Sequence, residues 1–480
     1  MNRRRGNASS RWRKAAWFIV AVVAGMGVTR AMAEGSTTEV SIDLGDHGFL
    51  FRGWGTSLAW WAKGIGDWPD KTLDPVVHLI VDSKDGLGLN VFRYNIGGGD
   101  QPGHHHMRRW ADVPGYRSAA DTAYDWNADS AQRRVLMKLV KASADRTVVE
   151  AFSNSAPWWM TISGCVAGST DGGPNLKPQS EQEFVNYLAD VVQHLTGKDG
   201  LVFNSLEPFN EPDVWWWKAG KDQEGMCVPR DQQARLIQLL RGALDRRQLR
   251  AVRVSATDAN SIDDCVTGLR GFNAATLDAL GQVNTHSYYG NARFELSRLA
   301  SDDHKPAWIS ETGPLNVGGS DYEQIMAMAQ RLVLDINQLR PEAWCMWQVV
   351  AGGPWGCLHE DQEQKSVSIG KAFYMYAAFT RHIRPGYRFF NLDSDSIVAA
   401  ISAARNEITI VVVNSDAAPR VVRVKVRGGV AVPPSVLGVF TNADHDLAPL
   451  QVNVSNGEEL EIEAPARSVG CITASIAAQR

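Results

Sequence analysis

The chain has 480 residues, of which 44% are hydrophobic and 21% charged, a composition that argues against disorder and supplies a large core. It carries 49 Lys/Arg and 53 Asp/Glu, a net charge of −4, so a basic nucleic-acid-binding surface is not expected. Its six cysteines include no CxxC pair, which argues against a zinc ribbon or a dithiol redox motif.

Residues 1–33 read as a signal peptide. Arg3, Arg4, Arg5, Arg11, Arg13 and Lys14 precede an apolar run from Ala15 to Val28, and Ala31-Met32-Ala33 fits a small-x-small cleavage site. The run is short for a membrane span. Export followed by cleavage near Ala33 is therefore expected, to the extracellular space or the periplasm, with no stable membrane association afterwards. Removing the leader's seven basic residues from 49 leaves 42 against 53 acidic, a net charge of −11, which suits a neutral partner. Export also makes disulfides possible, and Cys165 and Cys227 fall where a bridge would staple two long loops.

Short apolar or β-branched segments then recur at residues 48–55, 89–95, 147–153, 201–209, 251–256, 282–286, 306–310 and 343–348. Helical stripes lie between many of them, at residues 131–144, 180–195, 231–244, 322–339 and 371–382. Ser180-Glu181-Gln182-Glu183 matches a capping box. Eight strand–helix units without a glycine-rich dinucleotide loop predict a closed (β/α)8 TIM barrel over residues 49–385. From about residue 386 the pattern becomes short alternating strands separated by turns such as Gly428-Gly429, Pro433-Pro434 and Asn456-Gly457. That predicts an appended all-β sandwich over 386–480. The strand-like stretch 38–44, within the segment 34–48, is expected to join it.

Two glutamates stand at predicted strand ends. Glu211, in Asn210-Glu211-Pro212, follows the fourth apolar segment, and Glu311, in Ser310-Glu311-Thr312-Gly313, follows the seventh. Each motif is weak alone. Together they put two carboxyl groups on the C-terminal face of one barrel, the arrangement that splits a glycosidic bond. Glu207, four residues before Glu211, points to the same side and reads as a deeper structural ion pair. Nine tryptophans fall after strand ends: Trp60, Trp61, Trp68, Trp158, Trp159, Trp215, Trp216, Trp217 and Trp355. Their rigid apolar faces suit sugar rings. His104-His105-His106 invites a metal reading. Consecutive histidines in a strand diverge, however, and no partner set is evident, so no metal and no cofactor are expected.

Gly53–Ala62, Asn90–Gly98 and Ser153–Met160 are similar to glycoside hydrolase family 30, and the first two segments look most like its endo-β-1,6-galactanase branch. The resemblance covers the chain from about Val40 onward. It implies a retaining hydrolase of a polysaccharide or oligosaccharide, monomeric, with Glu211 as acid/base and Glu311 as nucleophile. Arg93 would orient the nucleophile and lower its pKa, and Asn210 would contact the hydroxyl beside the anomeric carbon. Tyr288 would hydrogen-bond the nucleophile, although Tyr289 competes for that role on parity alone. Trp347 would form an apolar floor, with His286, Trp54, Asn95 and Trp159 as further substrate contacts. β-1,6-Glucanase and xylan-directed activities are the alternatives within the family. A non-catalytic carbohydrate-binding protein on the same scaffold is the alternative outside it.

Overall fold

The computed structural model describes residues 37–143, 146–315, 318–428, 430–432 and 436–478. The expected signal peptide and its cleavage site lie outside these residues. No helix among the described residues is long and apolar enough to cross a membrane.

Eight parallel strands close into a barrel: β1 (Gly53–Ser57), β2 (Val91–Asn95), β3 (Val148–Phe152), β4 (Phe203–Glu207), β5 (Arg253–Ser261), β6 (Gln282–Tyr289), β7 (Ala307–Glu311) and β8 (Ala343–Gln348), with β8 pairing back onto β1. Outer helices include Asp70–Val81, Ser130–Ser143, Glu181–Asp199, Arg230–Arg246, Ile262–Gly271, Arg293–Asp302, Asp321–Leu334 and Lys371–Thr380. The capping box expected at Ser180 does not form. Ser180 closes a short 3-10 turn and is itself helical, so its hydroxyl caps nothing. Glu181 instead pairs with Arg235 on the next helix. A capping box does form at Ser320 and Glu323.

The first expected strand, 48–55, divides in two. Phe49–Leu50 pairs with Arg388–Phe389 in the β domain, and only Gly53–Ser57 enters the barrel. Gly53 makes the change of direction with φ +152°, where a Cβ would lie 1.9 Å from Asn90 Oδ1, so only glycine fits. The fifth and sixth strands run further than expected, to Ser261 and Tyr289. Their extra residues are polar and their pairing is bulged near Ala259 and His286, which hides them from a search for apolar alternation.

Apart from two short two-stranded pairs, the remaining strands among the described residues form two sheets. The larger runs in the order Ala448–Pro449, Leu437–Thr441, Ser468–Ser475, Glu407–Asn414, Ile397–Ile401, Arg388–Phe389, Phe49–Leu50. The smaller runs Thr37–Asp43, Arg420–Arg427, Glu459–Ala464, Val452–Ser455, with Thr37–Asp43 parallel to its neighbour. Ile397, Ala399 and Ile401 face the core shared with the smaller sheet, while Val398 and Ala400 join the core of the barrel. Burial on both faces explains why this strand reads as a continuous apolar run rather than an alternating one.

Trp54, expected as a substrate contact, is placed in the core instead of in the cleft around Glu211 and Glu311. It sits near the start of β1, fully buried, and its indole N–H donates to the Ile383 carbonyl at 2.7 Å. Its ring packs among Phe51, Trp344, Tyr376, Phe379 and Phe389. Strand parity turns it outward from the barrel, against the surrounding helices and the β domain.

Candidate active site

A layer of buried charge fills the barrel below its C-terminal mouth. Glu150 on β3 accepts from Arg93 Nε (2.9 Å), Ser205 Oγ (2.7 Å), Ser255 Oγ (3.0 Å), Gln282 Nε2 (3.0 Å) and Asn284 Nδ2 (3.0 Å). Donors from β2, β4, β5 and β6 thus meet on one carboxylate. Arg93 continues upward, with Nη2 to Asp258 Oδ2 at 2.7 Å and Nη1 to Glu311 Oε2 at 3.4 Å. Its guanidinium lies 4.3 Å from the Phe152 ring centre. Three carboxylates around one fully buried guanidinium keep the cation charged.

Glu211 and Glu311 meet above this layer. One oxygen of each and a ring nitrogen of His286 lie within 4.8 Å of one another. His286 is fully buried on β6, with Nδ1 3.2 Å from Glu211 Oε1 and Nε2 3.3 Å from Asp258 Oδ1 and 3.6 Å from Glu311 Oε2. Asn260 Nδ2 donates to the same Glu211 oxygen as His286. The choice between the two tyrosines falls on Tyr288, whose hydroxyl donates to Glu311 Oε1 at 3.0 Å. Asn284, His286 and Tyr288 share one strand parity, whereas Tyr289 is exposed on the rim.

The backbone at Glu211 is left-handed, with φ +44°. Such a conformation costs a non-glycine residue about 1–3 kcal/mol and must be held from outside. The Glu211 N–H donates to the Asp258 carbonyl at 2.9 Å, and its own carbonyl accepts from Trp217 Nε1 at 2.9 Å. Asp258 is also left-handed, with φ +50°.

Burial pushes the Glu311 carboxyl up to about 7, with the charge of Glu211 adding and those of His286 and Arg93 opposing. The expected lowering by Arg93 is present but outweighed by desolvation. Burial works against charge on His286 as well, but Glu311 and Asp258 carry it up to about 10, so it is an imidazolium at neutral pH. Burial also opposes the charge on Asp258, yet Arg93 and His286 hold it well below the usual carboxylate range. Glu207 forms no ion pair among the described residues. Burial and the charges of Asp258 and Glu150 push it well above the usual range, and it accepts from Asn284 Nδ2 at 2.6 Å.

The pair of glutamates floors a cleft of about 590 Å³, within the range of ligand pockets. Four of the nine highlighted tryptophans line it, Trp60, Trp216, Trp217 and Trp355, and Trp347 joins them. Trp61 and Trp68 are core residues instead. Trp347 meets Trp60 edge-on, with ring centres 5.3 Å apart. Trp159 lies off the cleft, beside Arg117. Asn95 does not line it either. Its side chain faces Glu224, which does, and whose carboxyl burial pushes up to about 8. Four buried polar atoms on cleft-lining residues find no hydrogen-bond partner among the described residues: Trp60 Nε1, Asn154 Nδ2, Asn210 Oδ1 and Glu224 Oε2. Unspent hydrogen-bonding capacity gathered in one cleft is suited to a hydroxyl-rich ligand.

Sequence reasoning missed Asp258, Asn260, Asn154 and Glu224. Asp258 and Asn260 sit in a polar extension of β5, Asn154 lies inside the Ser153–Met160 motif without standing out from it, and Glu224 lies in a loop without a recognisable motif. His104 and His106 lie in a loop, not a strand, and the fold brings them to Asp100 and Cys165. All six cysteines are free thiols, so of the two possibilities, a Cys165–Cys227 bridge or unpaired thiols, the structure has the thiols.

A sequence profile of O-glycosyl hydrolase family 30 matches residues 37–303. An endo-beta-1,6-galactanase of Hypocrea rufa is 31% identical over 399 residues, covering 78% of this chain and 81% of that protein. An exo-beta-1,6-galactobiohydrolase of Bifidobacterium longum subsp. longum is 26% identical over 400 residues, 62% of this chain and 26% of that longer protein. The crystal structure of a conserved exported protein from Bacteroides fragilis shares the fold at TM-score 0.77 and 19% identity, covering 91% of this chain and 100% of that one.

Arg93→Met leaves three buried carboxylates without their shared cation. It is expected to destabilise the protein by about 3–5 kcal/mol, read by urea unfolding. Arg93→Lys recovers only part of this, since one ammonium cannot reach three separate carboxylates.

Proposed function

This chain belongs to O-glycosyl hydrolase family 30 and is a glycoside hydrolase, and we propose that it is an exported enzyme that cleaves β-1,6-linked galactan with retention of configuration. The observation that carries the mechanism is the convergence of Glu211 and Glu311. An oxygen of Glu211 within 4.8 Å of an oxygen of Glu311 supports the closely set carboxyl pair of a retaining enzyme, about 5–5.5 Å apart, over the wider pair of an inverting one, about 6.5–9.5 Å apart. The 31% identity to the endo-beta-1,6-galactanase supports the substrate class. Presence of both carboxylates favours catalysis over a binding-only role.

Glu311 is the nucleophile. Tyr288 and Arg93 each hold one of its oxygens, which aims the carboxylate at the anomeric carbon. Glu211 protonates the leaving oxygen, then takes the proton of the water that hydrolyses the glycosyl-enzyme. Asn260 and His286 hold its Oε1, leaving the other oxygen for this work. As Glu311 becomes a neutral ester, Glu211 gives its proton to the leaving oxygen and becomes a carboxylate, and the imidazolium of His286, 3.2 Å from Glu211 Oε1, stabilises that new charge. Trp60 and Trp347 supply apolar faces for the sugar, and Asn210 and Asn154 address its hydroxyls. Cleavage after Ala33 and export complete the proposal. The mass or N-terminal sequence of the protein recovered outside the cell should begin at Glu34, and an intact residue 1 on that protein would overturn it.

The enzyme should release galacto-oligosaccharides from β-1,6-galactan and leave pustulan and glucuronoxylan essentially intact. Preference for either of the latter would overturn the substrate assignment. On an activated galactoside, Glu311→Ala with azide should yield the α-glycosyl azide and Glu211→Ala the β-azide. Glu211→Gln should lose about 10²–10⁴ in kcat on galactan. A β-azide from the Glu311 variant would reverse the two roles.

Because Glu311 must be ionised to attack, kcat/KM should fall with decreasing pH through about 7. The positive charge on His286 lowers the carboxyl's pKa. His286→Asn removes that charge, so the acid limb should move to higher pH. A limb that stays in place, or moves to lower pH, would count against the assignment.

A further inference from the structure

Three loops at the mouth of the barrel meet at a second cluster, away from the paired glutamates. Asp100, His104 and His106 come from the loop after β2, and Cys165 from the loop after β3. The loop after β4 contributes the carbonyl of Lys221, which lies against His106 Nδ1. A carbonyl only accepts, so His106 Nδ1 carries a proton, and in the neutral ring Nε2 presents a lone pair. That Nε2 has Asp100 Oδ2 at 2.9 Å and Cys165 Sγ at 3.5 Å. His104 Nδ1 approaches both Asp100 oxygens at 3.3 Å. One donor atom from each of the four residues lies within 4.8 Å of the others.

A proton on His106 Nε2 would serve Asp100 but not gather His104 and Cys165 to the same point. A metal ion serves all four. Tetrahedral bonds of about 2.0–2.1 Å to nitrogen or oxygen and about 2.3 Å to sulfur put N and O ligands about 3.3–3.4 Å apart and N and S about 3.5–3.6 Å apart. The His104–Asp100 and His106–Cys165 separations match these edges, while His106–Asp100, at 2.9 Å, is shorter and would open on binding. The carboxylate is also held from outside, with Asp100 Oδ1 accepting from the Gln101 and Val166 amides at 2.9 and 3.4 Å. Ser163 Oγ accepts from the Cys165 amide at 3.1 Å. Such outer contacts orient metal ligands.

We propose that Asp100, His104, His106 and Cys165 bind one zinc-class divalent cation. A thiolate, two imidazoles and a carboxylate form a borderline-soft set suited to zinc rather than magnesium or calcium. Binding releases the Cys165 thiol proton to solvent, and thiolate plus carboxylate then neutralise the two charges of the ion. Four protein ligands leave no open position, so the ion is structural. It clamps the cleft wall: Arg108, two residues past His106, stacks 4.3 Å above Trp60, and Gln223 and Glu224 follow Lys221 into the same cleft.

The test uses the full-length protein, stripped with a chelator and titrated with Zn²⁺ and, separately, with Co²⁺. About one equivalent of either ion should bind per chain. The Co²⁺ form should show intense tetrahedral visible bands and a near-ultraviolet thiolate charge-transfer band. Cys165→Ser should abolish that band, His104→Ala should abolish stoichiometric binding, and His105→Ala, at the exposed neighbour, should change neither. Chelator should lower Tm in the wild type and leave Tm unmoved in His104→Ala. Absence of a stoichiometric ion, a Co²⁺ spectrum without the thiolate band, or an ion that survives the His104→Ala/Cys165→Ser double variant would overturn the site. Should the variants fail to fold, the wild-type Co²⁺ spectrum decides alone.

Discussion

The buried guanidinium of Arg93 is the constraint on which the rest of the site depends. It enters the barrel from β2 with no exposure to solvent and meets carboxylates from β3, β5 and β7. Taking such a cation out of water costs several kcal/mol, repaid only when every lone pair around it is matched. The matching extends outward. Glu150 collects hydroxyl and amide donors from neighbouring strands, Asp258 takes Ser310 and His286, and Glu311 takes Tyr288. The polar layer therefore sets which strand residues face inward and at what height. It also fixes Glu311 without a loop to hold it.

Glu211 is held differently. It stands beyond the end of β4 in a left-handed backbone that its own side chain disfavours. The bonds that keep it there come from Asp258 and Trp217, one on a barrel strand and one on a loop. The two glutamates thus share one support, since Asp258 binds Arg93 through a carboxylate oxygen and Glu211 through its carbonyl. A disturbance of the charged layer would reach both carboxyl groups together.

Around this rigid base the cleft is made by loops. Tryptophans reach it from the loops after β1, β4 and β8, and Trp347 from the last turn of β8 itself. Helices Asp321–Leu334 and Lys371–Thr380 contact the larger sheet of the β domain, whose other face packs on the smaller sheet. The β domain thereby completes the core of the barrel rather than hanging from it.

Local pattern in the sequence determined the alternation of strands and helices, the all-β segment that follows, and the placement of Glu211 and Glu311 at the ends of the fourth and seventh barrel strands. These properties repeat over a few residues, and the hydrophobic period records them directly. The sequence also marked Arg93, His286 and Tyr288 as candidate site residues, through the motifs that resemble glycoside hydrolase family 30. What it could not contain was the closure of distant segments onto one another. Trp54 stood within a motif yet turned outward, because strand parity and depth are decided by the barrel. Asp258 and Asn260 lay in a polar stretch without apolar alternation, and only bulged pairing with β6 made it a strand. The pKa of Glu311 rests on burial, which no residue carries by itself. The three histidines looked divergent in sequence, and a loop together with Asp100 and Cys165 made two of them converge. Contacts of this kind join residues tens to hundreds of positions apart, and only the tertiary structure decides them.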